Sequence, residues 1–328
     1  MNESPNDRKK INVIKISPRG YCYGVVDAIQ LARTAARDNS TPKPIYILGQ
    51  IVHNRHAVAS LNEYGIISLD GDNREELLDQ VDGGTVIFTA HGVSPLVKLR
   101  ARGRGLNIID ATCPEVTHTH ELVKTLVAEG YEIIYIGRRS HPEPEGVIGE
   151  APDHVHLVEN VNDVSRLQLD TDKIAVSTQT TLSKWDTELI VNAIRDRFPH
   201  ANIHNDICRA TTDRQEAAVA KSRDADLVIV VGDTKSNNSN RLVSVVEELA
   251  GKPAYLIDNA TQLRPEWFAG VKTVALTSGS STPSQITKEV ADFLETLYQD
   301  GPVDVPAVSK VAQEYSPALT QARGSLHT

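Results

Sequence analysis

The sequence predicts an α/β protein built as three similar domains in series. Three observations carry that reading. Apolar strand patterns alternate with helical patterns along almost the whole chain. The same order of strands, helix and loops recurs three times. Cys22, Cys113 and Cys208 fall at near-equal intervals, at the same place in each recurrence.

Each repeat opens on an apolar extended segment that ends in its cysteine: INVIKISPRGYC, LNIIDATC and ANIHNDIC. A helical pattern follows in each, VVDAIQLARTAAR, THELVKTLVAEG and TDRQEAAVAKS. A second strand then ends on glycine, at Gly49, Gly137 and Gly232, and runs into a polar loop: QIVHNR, RRSHPEPEG or DTKSNNSNR. Third strands (GIISLD, HVHLVE, AYLIDN) and fourth strands (TVIFTAHG, KIAVSTQTT, TVALTSGSS) complete the units. Strands and helices at this spacing predict parallel sheets, in domains covering 11–110, 111–205 and 206–297. Residues 1–10 and 298–328 show no sustained period and read as tails, the first disordered.

The 328 residues carry a formal net charge of −9, which argues against non-specific nucleic-acid binding. No apolar run approaches the ~20 residues of a membrane span. The opening MNESPNDRKK lacks the apolar core of a signal segment, so a cytoplasmic protein is expected. No GxxxxGK[ST] occurs and no strand leads into GxGxxG, which weighs against ordinary nucleotide or nicotinamide use.

Three widely spaced cysteines do not suggest a disulfide framework, and the absence of CxxC pairs disfavours a structural zinc site. Taken singly, each reads as readily as a small buried hydrophobe. Their shared position in the repeat instead points to a metal centre. An iron–sulfur cluster held by three thiolates suits it, because the remaining iron is open to a substrate oxygen as a Lewis acid.

Parallel sheets bind ligands beyond the carboxyl ends of their strands. The loops there hold His53, His91, His141 with Glu143, Thr180, Ser236 with Asn238, and Ser281. His53 and His91 read either as loop histidines bonded to backbone or as donors to a phosphate. His118, His120, His154 and His156 fall in helix or strand patterns and read as bystanders. The SNNSN run from Ser236 to Asn240 is an N-cap, and a helix N-terminus with exposed amides is also an anion site. Ser281 sits in a similar place. HPEPEG, in the loop after a buried strand, is either a rigid solvated turn or a proton source. Glu143 is the candidate acid there, with Thr180 relaying or orienting. Glu145 competes with it, because residues two apart in an extended loop can point the same way.

These motifs together resemble the 4-hydroxy-3-methylbut-2-enyl diphosphate reductase (LytB/IspH) family. The stretches concerned are PRGYCYGV, GQIVHN, TAHGVSP, DATCPEVT, SHPEPEG, TQTT, NDICRATTDRQEA, SNNSNR and TSGSSTP, in family order from about residue 11 to about residue 297. The resemblance implies a pseudo-threefold α/β trefoil around one [4Fe-4S] cluster, with Cys22, Cys113 and Cys208 as ligands and one iron open. It implies that His53, His91, His141, Ser236, Asn237, Asn238 and Ser281 bind a diphosphate, and that Glu143 and Thr180 sit by the substrate hydroxyl. The implied reaction is a two-electron removal of that hydroxyl, giving isopentenyl and dimethylallyl diphosphate, with ferredoxin or flavodoxin as electron donor. Asn237 departs from the pattern, since many relatives carry serine there; asparagine can still donate. Two other readings stay open on the residues alone: a cluster-based iron or redox sensor without turnover, and a zinc hydrolase of a phosphorylated substrate.

Overall fold

The structure is a computed structural model that describes residues 9–315. The expected disorder of 1–8 and the far end of the expected C-terminal tail, 316–328, lie outside the described residues. Among those described there are twelve strands: β1 (Asn12–Lys15), β2 (Ile45–Leu48), β3 (Ile66–Leu69), β4 (Thr85–Phe88), β5 (Asn107–Asp110), β6 (Glu132–Ile136), β7 (Val155–Val158), β8 (Ile174–Thr178), β9 (Asn202–Ile203), β10 (Leu227–Val231), β11 (Ala254–Ile257) and β12 (Thr273–Ser278). No helix among them is long and apolar enough to cross a membrane.

The strands form three four-stranded sheets, ordered β3-β2-β4-β5, β7-β6-β8-β9 and β11-β10-β12-β1, and every pairing is parallel. The order is the same in all three. The third, second and fourth strands of one repeat come first, then the opening strand of the next. β1 accordingly leaves the repeat that it opens in the sequence and pairs with β12, Asn12 facing Thr273.

The chain divides into two compact units. Among the described residues, one comprises 9–22, His53–Ser60 and 213–315, and holds the β11-β10-β12-β1 sheet. The other comprises Tyr23–Val52 and Leu61–Thr212, and holds the other two sheets. In the first unit, β10 alternates between two cores. Leu227, Ile229 and Val231 pack with Leu276, Ile286 and Val290, while Val228 and Val230 pack with Ile16, Leu242 and Val246. Both faces are covered, which is why the strand reads as an unbroken apolar run. In the second unit, β6 divides likewise: Ile134 and Ile136 face one core, Ile133 and Tyr135 the other. Each buried aliphatic side chain stabilises by roughly 1.5–3 kcal/mol.

Three local readings are corrected. HPEPEG is no extended loop but the cap and first turn of the helix Pro142–Ile148. Proline at its first position suits a turn with no amide to bond there, and His141 Nδ1 accepts the Glu143 N–H at 3.2 Å. The helix after SNNSN begins earlier than the apolar pattern suggests, at Asn237, with Ser236 as its cap. It continues as one π-turn, Val246–Ala250, and stops at Gly251, whose φ of +63° suits glycine. Part of the expected C-terminal tail is structured. Gln299 N–H donates to Lys9 C=O at 2.8 Å, and the Lys310 N–H that opens the helix Lys310–Tyr315 donates to Glu289 at 2.8 Å.

Candidate active site

The three cysteines occupy one backbone setting. Cys22 N–H donates to Ser280 C=O, Cys113 N–H to Ala90 C=O and Cys208 N–H to Thr180 C=O, each at 3.0 Å. The acceptors lie just past β12, β4 and β8, the strands that neighbour the one each cysteine follows. Each bond therefore seats a thiol beside a loop that carries a polar candidate: Ser281, His91 or Thr180.

None of the three cysteines is in a disulfide, and each is half-buried. Cys113 is the N-cap of the helix Pro114–Ala128, and its thiol makes no capping hydrogen bond there. Cys208 Sγ lies 3.1 Å from Thr211 Oγ1. A Cβ on Gly24 would stand 2.5 Å from Cys113 Sγ, so glycine there leaves the sulfur room. Half-buried thiols outside any disulfide, at helix starts, fit soft-ligand binding of an iron–sulfur cluster.

The second unit also holds His91, His141, Glu143 and Thr180. The His91 and His141 rings meet edge to face, with centroids 5.3 Å apart. His91 Nδ1 lies 3.3 Å from Thr89 Oγ1. Glu143 is fully buried, and its carboxyl accepts the Thr180 N–H at 2.7 Å and the Thr180 hydroxyl at 3.0 Å. Burial pushes its pKa up to about 7; the two Thr180 bonds oppose that rise, Asp206 adds to it, and Tyr135 opposes it. The helix separates Glu143 from Glu145, because residues two apart on a helix point away from each other. Glu145 accepts the Arg74 N–H at 3.1 Å and lies 3.6 Å from the Arg74 guanidinium. It thus faces a structural arginine, not Thr180.

The first unit holds Cys22, His53, Ser236, Asn237, Asn238 and Ser281. Ser281 donates its hydroxyl to His53 C=O at 2.9 Å, and Ser236 accepts the Ser239 N–H at 3.2 Å. Asn238 donates to Ser280 Oγ at 3.2 Å while its carbonyl oxygen is buried without a partner. Asn237 and Asn238 lie in the first helical turn rather than in a loop before it.

Several supporting residues escaped the sequence reading. Asn54 caps the helix after His53 by accepting the His56 N–H at 3.0 Å. His56 Nε2 and the Arg55 guanidinium both bond the buried Asp258, whose carboxyl they hold below the usual range although desolvation pushes it up. His120, expected to be a bystander, is buried with Nδ1 2.7 Å from Glu150, and its ring packs where a Cβ on Gly92 or Gly146 would fall. Adjacency to His53 in IVHNRH could have pointed to Asn54, Arg55 and His56; no local pattern pointed to Asp258 or to the packing of His120.

The family model described as LytB protein matches residues 13–295. A 4-hydroxy-3-methylbut-2-enyl diphosphate reductase of Halalkalibacterium halodurans is 58% identical over 87% of this chain and 91% of its own. One from Symbiobacterium thermophilum is 57% identical over 87% of this chain and 97% of its own. Among solved structures, the E-1-hydroxy-2-methyl-but-2-enyl-4-diphosphate reductase of Plasmodium falciparum superposes with a TM-score of 0.81 at 34% identity, covering 96% of this chain and all of that one. A second, described as the terminal enzyme of the non-mevalonate pathway, gives 0.63 at 32% identity over 86% of this chain and 98% of its own. With its three like-ordered sheets, its three cysteines in one backbone setting and a match over nearly all described residues, the chain belongs to the LytB protein family.

Proposed function

We propose that this chain is a cytoplasmic 4-hydroxy-3-methylbut-2-enyl diphosphate reductase. It removes the allylic hydroxyl of its substrate with two electrons and two protons, releasing water and giving isopentenyl and dimethylallyl diphosphate. The observation that carries the reading is Glu143: a fully buried carboxyl, raised toward neutrality and held by both donors of Thr180, in a chain 58% identical to a reductase of that name. Hydroxide is a poor leaving group, so the oxygen must gain a proton as its bond to carbon breaks. Glu143 is the group in place to give it, and Thr180 fixes the carboxyl that does so.

Cys22, Cys113 and Cys208 would hold the [4Fe-4S] cluster, and the pseudo-threefold trefoil around it remains part of this proposal, supported by the resemblance and by the common strand order. When bound, the cluster supplies electrons one at a time, taken from a ferredoxin or flavodoxin, and a Lewis-acidic open iron. His91 and His141 are assigned to the diphosphate oxygens; so, on the resemblance, are His53, Ser236, Asn237, Asn238 and Ser281. A sensor without turnover has no use for a buried proton donor, and this favours the enzyme. The deciding experiment is anaerobic purification, an absorption and EPR spectrum, and an assay with a chemical reductant. A cluster signal with product formation supports the proposal; zinc without sulfide overturns it.

A further inference from the structure

Tyr135 belongs to β6 and is wholly buried, packed with Ile133, Val147, Val155 and Ala175. Its hydroxyl is buried and has no partner in hydrogen-bonding geometry. Phenylalanine would fill the same space without an orphaned oxygen, so the hydroxyl calls for an explanation.

The surroundings supply one. A Cβ on Gly137 would lie 2.9 Å from the Tyr135 ring and 3.0 Å from the Pro144 ring, which places the phenol against the first turn of the helix that carries Glu143. Across the sheet, Tyr135 is in register with Ser177 of β8, whose hydroxyl donates to Asp206 at 2.7 Å. Glu143 and Asp206 are the two acids that act on the phenol. Glu143 is the acid within its reach, and Tyr135 pulls on that carboxyl as a hydrogen-bond donor does, although the contact falls short of a well-formed bond. Burial first, and then those two acids, hold the phenol well above its usual pKa, so it stays a neutral donor.

We propose that Tyr135 is a positioning residue for Glu143, its O–H standing ready to donate to the carboxylate that remains once Glu143 has given its proton to the leaving hydroxyl. The inference rests on the proton-donor role proposed above. The proton passes from the Glu143 carboxyl to the departing oxygen, which leaves as water; Tyr135 keeps its own proton and only turns it toward the new charge. Thr180 already gives Glu143 two hydrogen bonds, and His141 occupies the Glu143 N–H. Asp206 is the one carboxylate acting on this site from the segment before Cys208, and it opposes ionisation. A third donor on the Tyr135 side offsets that repulsion when the charge appears.

The test uses Tyr135→Phe, Glu143→Gln and the double variant as holoenzymes, assayed anaerobically against pH. Tyr135→Phe is expected to lower kcat about tenfold, the worth of one hydrogen bond to a charged group, with little change in KM. Its kcat is expected to fall off at higher pH than in the parent, because the charged form has lost a stabilising donor. The infrared band of the protonated Glu143 carboxyl, identified by its loss in Glu143→Gln, is expected to persist to higher pH as well. In the Glu143→Gln background, Tyr135→Phe is expected to change nothing further. An unmoved pH profile, an equal loss in that background, or reduced stability of Tyr135→Phe overturns the proposal. Near-normal turnover by Glu143→Gln alone overturns the proton-donor reading instead, so the two failures are distinguishable.

Discussion

Glu143 and Thr180 come from different elements of one sheet domain and meet in a two-point contact: the Thr180 N–H and hydroxyl donate to separate oxygens of the Glu143 carboxyl, at 2.7 and 3.0 Å. The same Thr180 accepts the Cys208 N–H through its carbonyl at 3.0 Å. One residue therefore ties the proposed acid to the backbone of a proposed cluster ligand. Glu143→Gln keeps the shape and loses the proton, so it is expected to turn over at least about a hundredfold more slowly, general acid catalysis contributing ~10²–10⁴-fold. Glu145→Gln, which faces Arg74, is expected to leave turnover within about threefold, the remaining loss being structural. Steady-state rates of the two variants check this.

The raised Glu143 pKa has two consequences with pH. Glu143 must be protonated to act, so kcat is expected to fall as pH rises past about 7. Stability follows the same group. Its folded pKa lies above the ordinary 4.5, so its contribution is fully present below about 4.5 and is lost as pH rises through about 7. Denaturant unfolding across this window is expected to show the parent losing stability relative to Glu143→Gln.

Replacing Cys22, Cys113 or Cys208 by serine substitutes a hard ligand for a soft one. Each variant is expected to lose most of its iron and sulfide after anaerobic reconstitution, measured chemically and by absorption. A variant with a full cluster and full activity removes that cysteine from the ligand set. Exposure of the parent to air is expected to abolish activity together with the cluster signal.

His91→Ala is expected to weaken substrate binding about tenfold or more, because a hydrogen bond to a charged group contributes roughly 1.5–3 kcal/mol and ~1.4 kcal/mol is one decade. Calorimetry on the holoenzyme, with the diphosphate substrate and its monophosphate analogue, measures it. Equal affinity in parent and variant would take His91 out of the anion site.

Much of the architecture was readable from the chain because apolar period and cysteine spacing are local signals. β6 and β10 are buried on both faces, which the wholly aliphatic LVIVV of β10 and the largely apolar EIIYI of β6 announce. Other features depend on contacts that no local pattern carries. The pairing of β1 with β12 joins segments at opposite ends of the described chain. HPEPEG looked extended because two prolines usually break a helix, yet at the first turn they remove only amides that have no partner there. That one misreading also left spacing unable to separate Glu143 from Glu145, a choice that only the resemblance made. Tyr135 and Asp258 were invisible for a related reason: one sits inside an apolar strand, and the other ends a strand far in sequence from the Arg55 and His56 that bond it.

The strand pairing also sets an order of events during synthesis. Among the described strands β1 is made first and its partner β12 last. Until then β1 is a short apolar strand with an unpaired edge, and closing it against β12 costs the entropy of the whole intervening chain. The backbone of Cys22 follows the same schedule, since its acceptor Ser280 comes just after β12. Of the three cysteines the first in the chain is thus the last whose backbone can be seated, and any group that needed all three would have to wait for β12.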